Sequence, residues 1–255
     1  RSRAMNVLER ALVEKAGREH GWENVVESIE ARVVLGSARH RGRASVTAAS
    51  GGSGWQVAVP DGRLVRELAR SLPRLADGGG FDAPDIDTLA ALLRRAAELS
   101  LALPDQAVCT FRERAARELV RVTDRGTEIE RLVRQRVGQD VFREAMLDYW
   151  GGACAVTGLT LPPVLRASHA KPWVDCTSDE ERLDVFNGFL LVAHFDALFD
   201  RGLITFDAAG DVVVATYLAS DHRALLHLRR GLRLRWLAPE HLPFLAWHRE
   251  RVFKD

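Results

Sequence analysis

Polar residues able to do chemistry collect at short spacing in the second half of the chain: Ser168-His169, Lys171, Asn187-Gly188, His194, Asp196 and Asp200. Asp196 and Asp200 are four apart, so on a helix they share one face and can converge on a single cation. Oxygen donors of this kind suit a hard ion such as Mg²⁺ or Mn²⁺ better than a soft one. His169 is of the type that serves as a general base: an imidazole near its unperturbed pKa of about 6.5 can take a proton at pH 7. It must also be held in one tautomer and orientation, a task the Asn187 amide can perform. Together these residues fit metal-assisted hydrolysis of a phosphodiester. His169 would activate water, and a carboxylate-bound metal would meet the charge on the phosphorane and on the leaving 3′ oxygen.

Such side chains need particular elements beneath them. The pattern predicts a short strand ending in His169, an acidic loop at 175–184, a strand over 189–193 (FLLVA) and a short helix over 194–201, which make a ββα unit. A helix over 140–150, a turn at Gly151-Gly152 and Pro162-Pro163 precede it. A hairpin-like pair (203–206 and 211–217, around Gly210) and a helical stretch at 238–252 follow. Upstream, residues 5–17 read as a helix with Val7, Leu8, Leu12 and Val13 on one face. Strands are expected at 29–36, 43–49 and 54–59, the last two separated by Gly51-Gly52-Ser53-Gly54. A helix then follows Asp61 and ends near Pro73, Gly78 to Gly80 form a loop, and an apolar helix covers 84–101 up to Pro104. Residues 108–136 are helical with alternating charge, as in a connector or a partner-facing helix. The fold class is therefore α+β. Residues 1–105 form a mixed α/β module with a small sheet, 106–137 a helical connector, and 138–255 the module that carries the ββα unit.

In order, RVGQDVFR (136–143), CAVTGL (154–159), RASHAKPW (166–173), ERLDVFNGFLL (181–191) and HFDALFDRGLITF (194–206) resemble the HNH nucleases of the ββα-metal fold. The branch they resemble most is that of bacterial restriction and defence proteins with a C-terminal HNH module. The resemblance implies an HNH-type endodeoxyribonuclease in which His169 is the general base and Asn187 braces the loop that orients it. Asp196 and Asp200 would be the metal ligands on the helix. The family usually has an Asp or His ligand just before the base, where this chain has Ser168, so either Ser168 or His194 would complete the site. Relatives often carry paired cysteines for a structural zinc. Cys154 stands alone here, so none is expected.

The chain has 255 residues, 36 Lys plus Arg against 35 Asp plus Glu, and a net charge of +1, so bulk charge does not announce a nucleic-acid partner. All the basic residues except Lys15, Lys171 and Lys254 are arginines, which suit phosphate contacts but also follow from a GC-rich genome. Lys171 and Arg182 are candidate phosphate contacts, as are a cluster at Arg39, His40, Arg41 and Arg43 and another at Arg223, Arg229, Arg230, Arg233 and Arg235. For each, a solvated surface charge is the plainer reading. Trp55, near the first cluster, would suit stacking on a modified base. Three cysteines with no CxxC pair exclude a disulfide framework. With no long apolar run and no signal-peptide pattern, a cytoplasmic protein without membrane contact is expected, and Arg1 to Ala4 are set aside as a remnant ahead of Met5. The partners implied are DNA and, for double-strand cleavage, a second copy of the chain. The expected role is restriction of foreign, modified DNA. Two other readings stand beside it: a DNA-binding protein whose nuclease site has decayed at Ser168, and a nuclease gated by a small-molecule or protein signal sensed by the N-terminal module.

Overall fold

The computed structural model describes residues 3–50, 53–78, 80–121 and 126–255. Parts of the expected 51–54 turn, the 78–80 loop and the 108–136 helix (residues 51–52, 79 and 122–125), with Arg1 and Ser2, lie outside that description. The architecture is α+β, and the chain divides into one unit over residues 1–101 and another over 102–255.

In the first unit, helix α1 (Val7–Glu19) starts at Asn6, whose side chain accepts the Glu9 amide while Glu9 accepts the Asn6 amide. Strands β1 (Asn24–Ile29), β2 (Arg32–Gly36), β3 (Arg43–Ala48) and β4 (Trp55–Ala58) follow, then α2 (Gly62–Ser71), β5 (Ala76–Asp77), β6 (Gly80–Ala83) and α3 (Ile86–Ala102). The strands form an antiparallel sheet in the order β1-β2-β3-β4-β6-β5. Register aligns one face: Leu35 lies opposite Ala44, Val46 opposite Val57, and Val57 opposite Phe81. All are buried, whereas the residues between them face outward, as a period of two requires. The expected strand at 29–36 is in fact the second arm of a hairpin that turns at Glu30-Ala31, and two further strands pair on either side of the expected Gly78–Gly80 loop, with Asp77 opposite Gly80.

Two sequence expectations change here. Trp55 is only 8% exposed and belongs to the buried face of β4, so it offers no free ring for stacking a base. His40 is likewise buried, edge-on to Trp22 with Nε2 near the Gly21 carbonyl. It anchors the 39–43 turn, while Arg39, Arg41 and Arg43 remain on the exposed side.

The second unit opens with α4 (Pro104–Arg121) and α5 (Thr127–Tyr149). Pro104 is the first residue of a helix, where its missing N–H costs nothing. The helix expected at 140–150 begins at Thr127 and runs unbroken through Gly138. Strands β7 (Leu165–His169) and β8 (Gly188–Val192) pair antiparallel, with Ser168 opposite Phe189 and His169 opposite Gly188. A short helix, α6 (Asp179–Arg182), lies within the loop between them, and α7 (Ala193–Asp200) leaves directly from β8. A hairpin of β9 (Ile204–Phe206) and β10 (Val212–Val214), then α8 (Ser220–Leu225) and α9 (Leu242–Arg251), complete the unit. Phe142, Trp150, Phe189, Phe199 and Phe206 fill its core. Among the described residues no helix is long and apolar enough to cross a membrane.

Candidate active site in the ββα unit

Successive side chains of β7 point to opposite faces. Ser168 is buried and turns to α7, where its hydroxyl donates to Asp196 Oδ1. His169, the last residue of the strand, turns to α5 and stacks on Phe142, with ring centroids 3.7 Å apart and planes at 14°. Trp173 meets it edge-on at 6.0 Å. Gly188, opposite His169, permits this closeness: a Cβ there would lie 2.4 Å from the Ser168 carbonyl oxygen and 2.8 Å from Phe142.

His169 Nε2 lies 2.9 Å from the carbonyl oxygen of Arg182. A carbonyl only accepts, so Nε2 carries the proton and the neutral ring keeps a lone pair on Nδ1. Burial pushes the imidazole down to about 4, against a smaller opposing pull from that carbonyl. It is therefore neutral at pH 7.

Asn187 is fully buried and is bonded to the loop's backbone. Its Oδ1 accepts from the Lys171 amide at 2.8 Å, and its Nδ2 donates to the carbonyls of Lys171 and Glu181, both at 3.1 Å. The amide thereby ties the start of the 170–183 loop to the residue just before Arg182, whose carbonyl holds His169. Asp184 caps the following turn by accepting the Phe186 amide, which places Asn187 beneath the loop.

On α7, Asp196 and Asp200 share one face. Loss of hydration, and then the charge of Asp196, push the Asp200 carboxyl up to about 6, although the residue as a whole stays solvent-accessible. Two carboxylates on one helix face, with a hydroxyl bonded to one of them, form an oxygen-rich donor set whose chemistry fits a hard divalent cation. Among the described residues no group of three or more His, Cys, Asp and Glu side chains is arranged to hold a metal ion. A cation would thus rest on two carboxylates, Ser168 and solvent. His194 does not join them: two positions from Asp196 it projects from another side of α7 and is exposed.

Lys171 and Arg182 are occupied within the loop. Lys171 Nζ pairs with Glu181 at 2.6 Å, both side chains being mostly buried. Arg182 donates to the carbonyls of Trp173 and Cys176 and pairs with Asp179 at 3.2 Å. Both hold the loop's shape. In the second basic cluster, Arg223, Arg233 and Arg235 likewise donate to backbone carbonyls (Ala215, Ala209 and Ala153 among them), although Arg233 and Arg235 stay exposed along with Arg229 and Arg230. Phe142, Glu181 and the Arg182 carbonyl are contributors that residue types alone did not single out. All three lie in segments that carried the resemblance, but nothing in their types marks a ring to stack on, a loop-closing partner or a carbonyl aimed at the base. Cys109, Cys154 and Cys176 are thiols that form no disulfide among the described residues, and burial pushes Cys176 up to about 11, which makes it unreactive.

A strand ending in a held histidine, a second strand opened by a buried asparagine, and a helix bearing a carboxylate pair define a ββα nuclease-type unit. The family model for HNH endonucleases matches residues 154–207, from Cys154 to just past β9, so the C-terminal part of the chain carries an HNH endonuclease domain. No curated protein matches the chain.

Proposed function

We propose that the protein is a metal-dependent DNA endonuclease acting through the ββα unit, in restriction of foreign, modified DNA. The observation that carries this reading is the held imidazole. His169 presents Nδ1 with its lone pair, fixed through Nε2, one residue from the hydroxyl that engages Asp196. Nδ1 accepts the proton of the attacking water as the new P–O bond forms and the bond to the 3′ oxygen breaks. A neighbouring phosphate raises the basicity of this buried ring at the moment it is needed, because the nearby negative charge favours the imidazolium. Asp196, Asp200 and Ser168 would hold Mg²⁺ or Mn²⁺, which supplies Lewis-acid stabilisation of the phosphorane. Asn187, Lys171 and Arg182 act on the loop, keeping the 182 carbonyl where it orients His169. Residues 1–101 would select the target, with Arg39, Arg41 and Arg43 on backbone phosphates. One such site cuts one strand, so double-strand cleavage would need two copies.

The test is nicking of a supercoiled plasmid with Mg²⁺, Mn²⁺ or EDTA, on unmodified, methylated and phosphorothioated DNA. Metal-dependent nicking should fall by about 10²–10⁴-fold in His169→Ala, the range of a lost general base. Equal cutting by wild type and variant would remove His169 from the chemistry. A difference between substrates would support the selecting role of the first unit.

A further inference from the structure

Between α4 and α5 lies a cavity of about 400 Å³ whose charged lining is Arg114, Arg117, Glu118, Arg121, Arg136 and Asp140. Arg114, Arg117 and Arg121 stand at i, i+3 and i+7, so they share a face of α4 and span about 10 Å along it. Arg136 adds a guanidinium from α5. Four guanidiniums line it against two carboxylates, and Glu113 and Glu144 beside it pair with two of the four, so the charge is locally balanced and the row of guanidiniums, not a net excess, is the feature.

The α4 arginines rest on neighbouring carboxylates: Arg114 on Glu144 at 2.8 Å, Arg121 on Glu118 at 2.9 Å and Arg117 on Glu113 at 4.0 Å. Arg117 and Arg121 are 68% and 73% exposed. Exposed pairs of this kind contribute little to stability, so a phosphate can take the place of the carboxylate at little cost. A row of guanidiniums suits a repeating anion better than a single one.

The groove is separate from the reacting centre. On α5, Arg134, Gly138 and Phe142 face Asp179, Trp173 and His169, whereas Arg136 and Asp140 lie around the other side of the helix. A helix with its side chains is about 10 Å thick. Duplex DNA advances that far in about three base pairs.

We propose that the α4–α5 groove is a phosphate track that grips the DNA flanking the cut. The proposal rests on reading the ββα unit as a DNA-cutting site. The experiment measures binding of a fluorescent duplex to the full chain in EDTA, in a His169→Ala background, across a salt series. Arg117→Ala/Arg121→Ala should weaken binding at least several-fold and lower the slope of log K against log salt by about one to two units, since each lost phosphate contact removes about 0.9. Arg117→Lys/Arg121→Lys should keep most of the slope, which a folding defect would not allow. Inorganic phosphate and a mononucleotide are the competitors that separate a backbone track from a pocket for one small anion. Unchanged affinity and slope in the alanine variant, or displacement of the duplex by a mononucleotide at equal phosphate concentration, would overturn the proposal. Wild-type nicking is scored separately. Nicking with an unchanged slope sinks the groove alone, and a changed slope without nicking sinks the nuclease reading alone.

Discussion

Asp200 and Asp196 set two carboxylates on one face of α7, with Asp200 raised to about 6 by lost hydration and by its neighbour. The sign follows from proton counting. Between about 4 and 6 the folded chain binds this proton more tightly than the unfolded chain, so Asp200 contributes stability at low pH that is lost as pH rises through 6. A bound divalent cation reverses that repulsion. Adding Mn²⁺ should therefore raise the melting temperature at pH 7 and much less at pH 5, where the cation competes with the proton. Asp200→Asn should melt higher than wild type in EDTA at pH 7 yet lose the Mn²⁺ shift. Calorimetry with and without metal decides it, and a shift retained by Asp200→Asn would take this carboxylate out of the metal site. The residues behind this prediction were legible in the sequence because Ser168-His169, Asn187 and the i, i+4 aspartates carry their chemistry in type and spacing. The partner that orients His169 was not. It is a main-chain carbonyl, which every residue has, and its position is set by loop folding. The pairing of Lys171 with Glu181 was equally hidden, since a basic residue beside an acidic loop reads the same whether it faces solvent or closes the loop.

At the scale of elements, the sequence pattern located α1, β3, β4, α2, α3, β7, β8, α7 and α9 closely, because each has a clear apolar period or a capping residue. It missed β1, β5, β6, α6 and α8, most of which are short or sit beside glycines. It also divided α5 in two, giving the alternating charges before Gly138 to a connector. Those charges belong to a helix whose inner face is marked by Gly138. A Cβ at Gly138 would lie 2.2 Å from the Trp173 ring, so α5 passes the loop at backbone distance. Trp173 in turn meets His169 edge-on and lies under the Arg182 guanidinium, 5.6 Å from its ring centre. Helix propensity alone would make Gly138→Ala stabilising by about 1 kcal/mol. The close approach should reverse that sign, with a net loss of about 1–3 kcal/mol as the ring is displaced. Urea denaturation gives the stability, and plasmid nicking should fall with it because the displaced ring lies against the base. A stabilised, fully active variant would show that the indole yields freely.

For the molecule as a whole, buried neutral histidines set the acid limit, and the two pushed lowest both lie in residues 102–255. His248 stacks on Phe199 at 3.8 Å, with Nε2 near the Phe199 carbonyl oxygen and Nδ1 3.0 Å from the Thr205 hydroxyl, and burial pushes it down to about 4. His169 is shifted likewise. Between about 6.5 and 4 the unfolded chain binds more protons at these two rings than the folded chain, so stability is full above 6.5 and falls as pH drops through that window. His248 alone should cost on the order of 2 kcal/mol by pH 5. This unit also holds its own aromatic core, the ββα site and the α4–α5 groove. A fragment of residues 103–255 should therefore fold cooperatively, with a urea midpoint that falls between pH 7 and pH 5. It should also nick plasmid with the same metal requirement while losing any preference between modified and unmodified DNA. His248→Gln in the fragment should lower the midpoint at pH 7 and flatten its pH dependence. A fragment that folds and nicks with the full chain's substrate preference would move target choice into the nuclease unit. One that cuts where the full chain is silent would instead assign residues 1–101 the part of a gate.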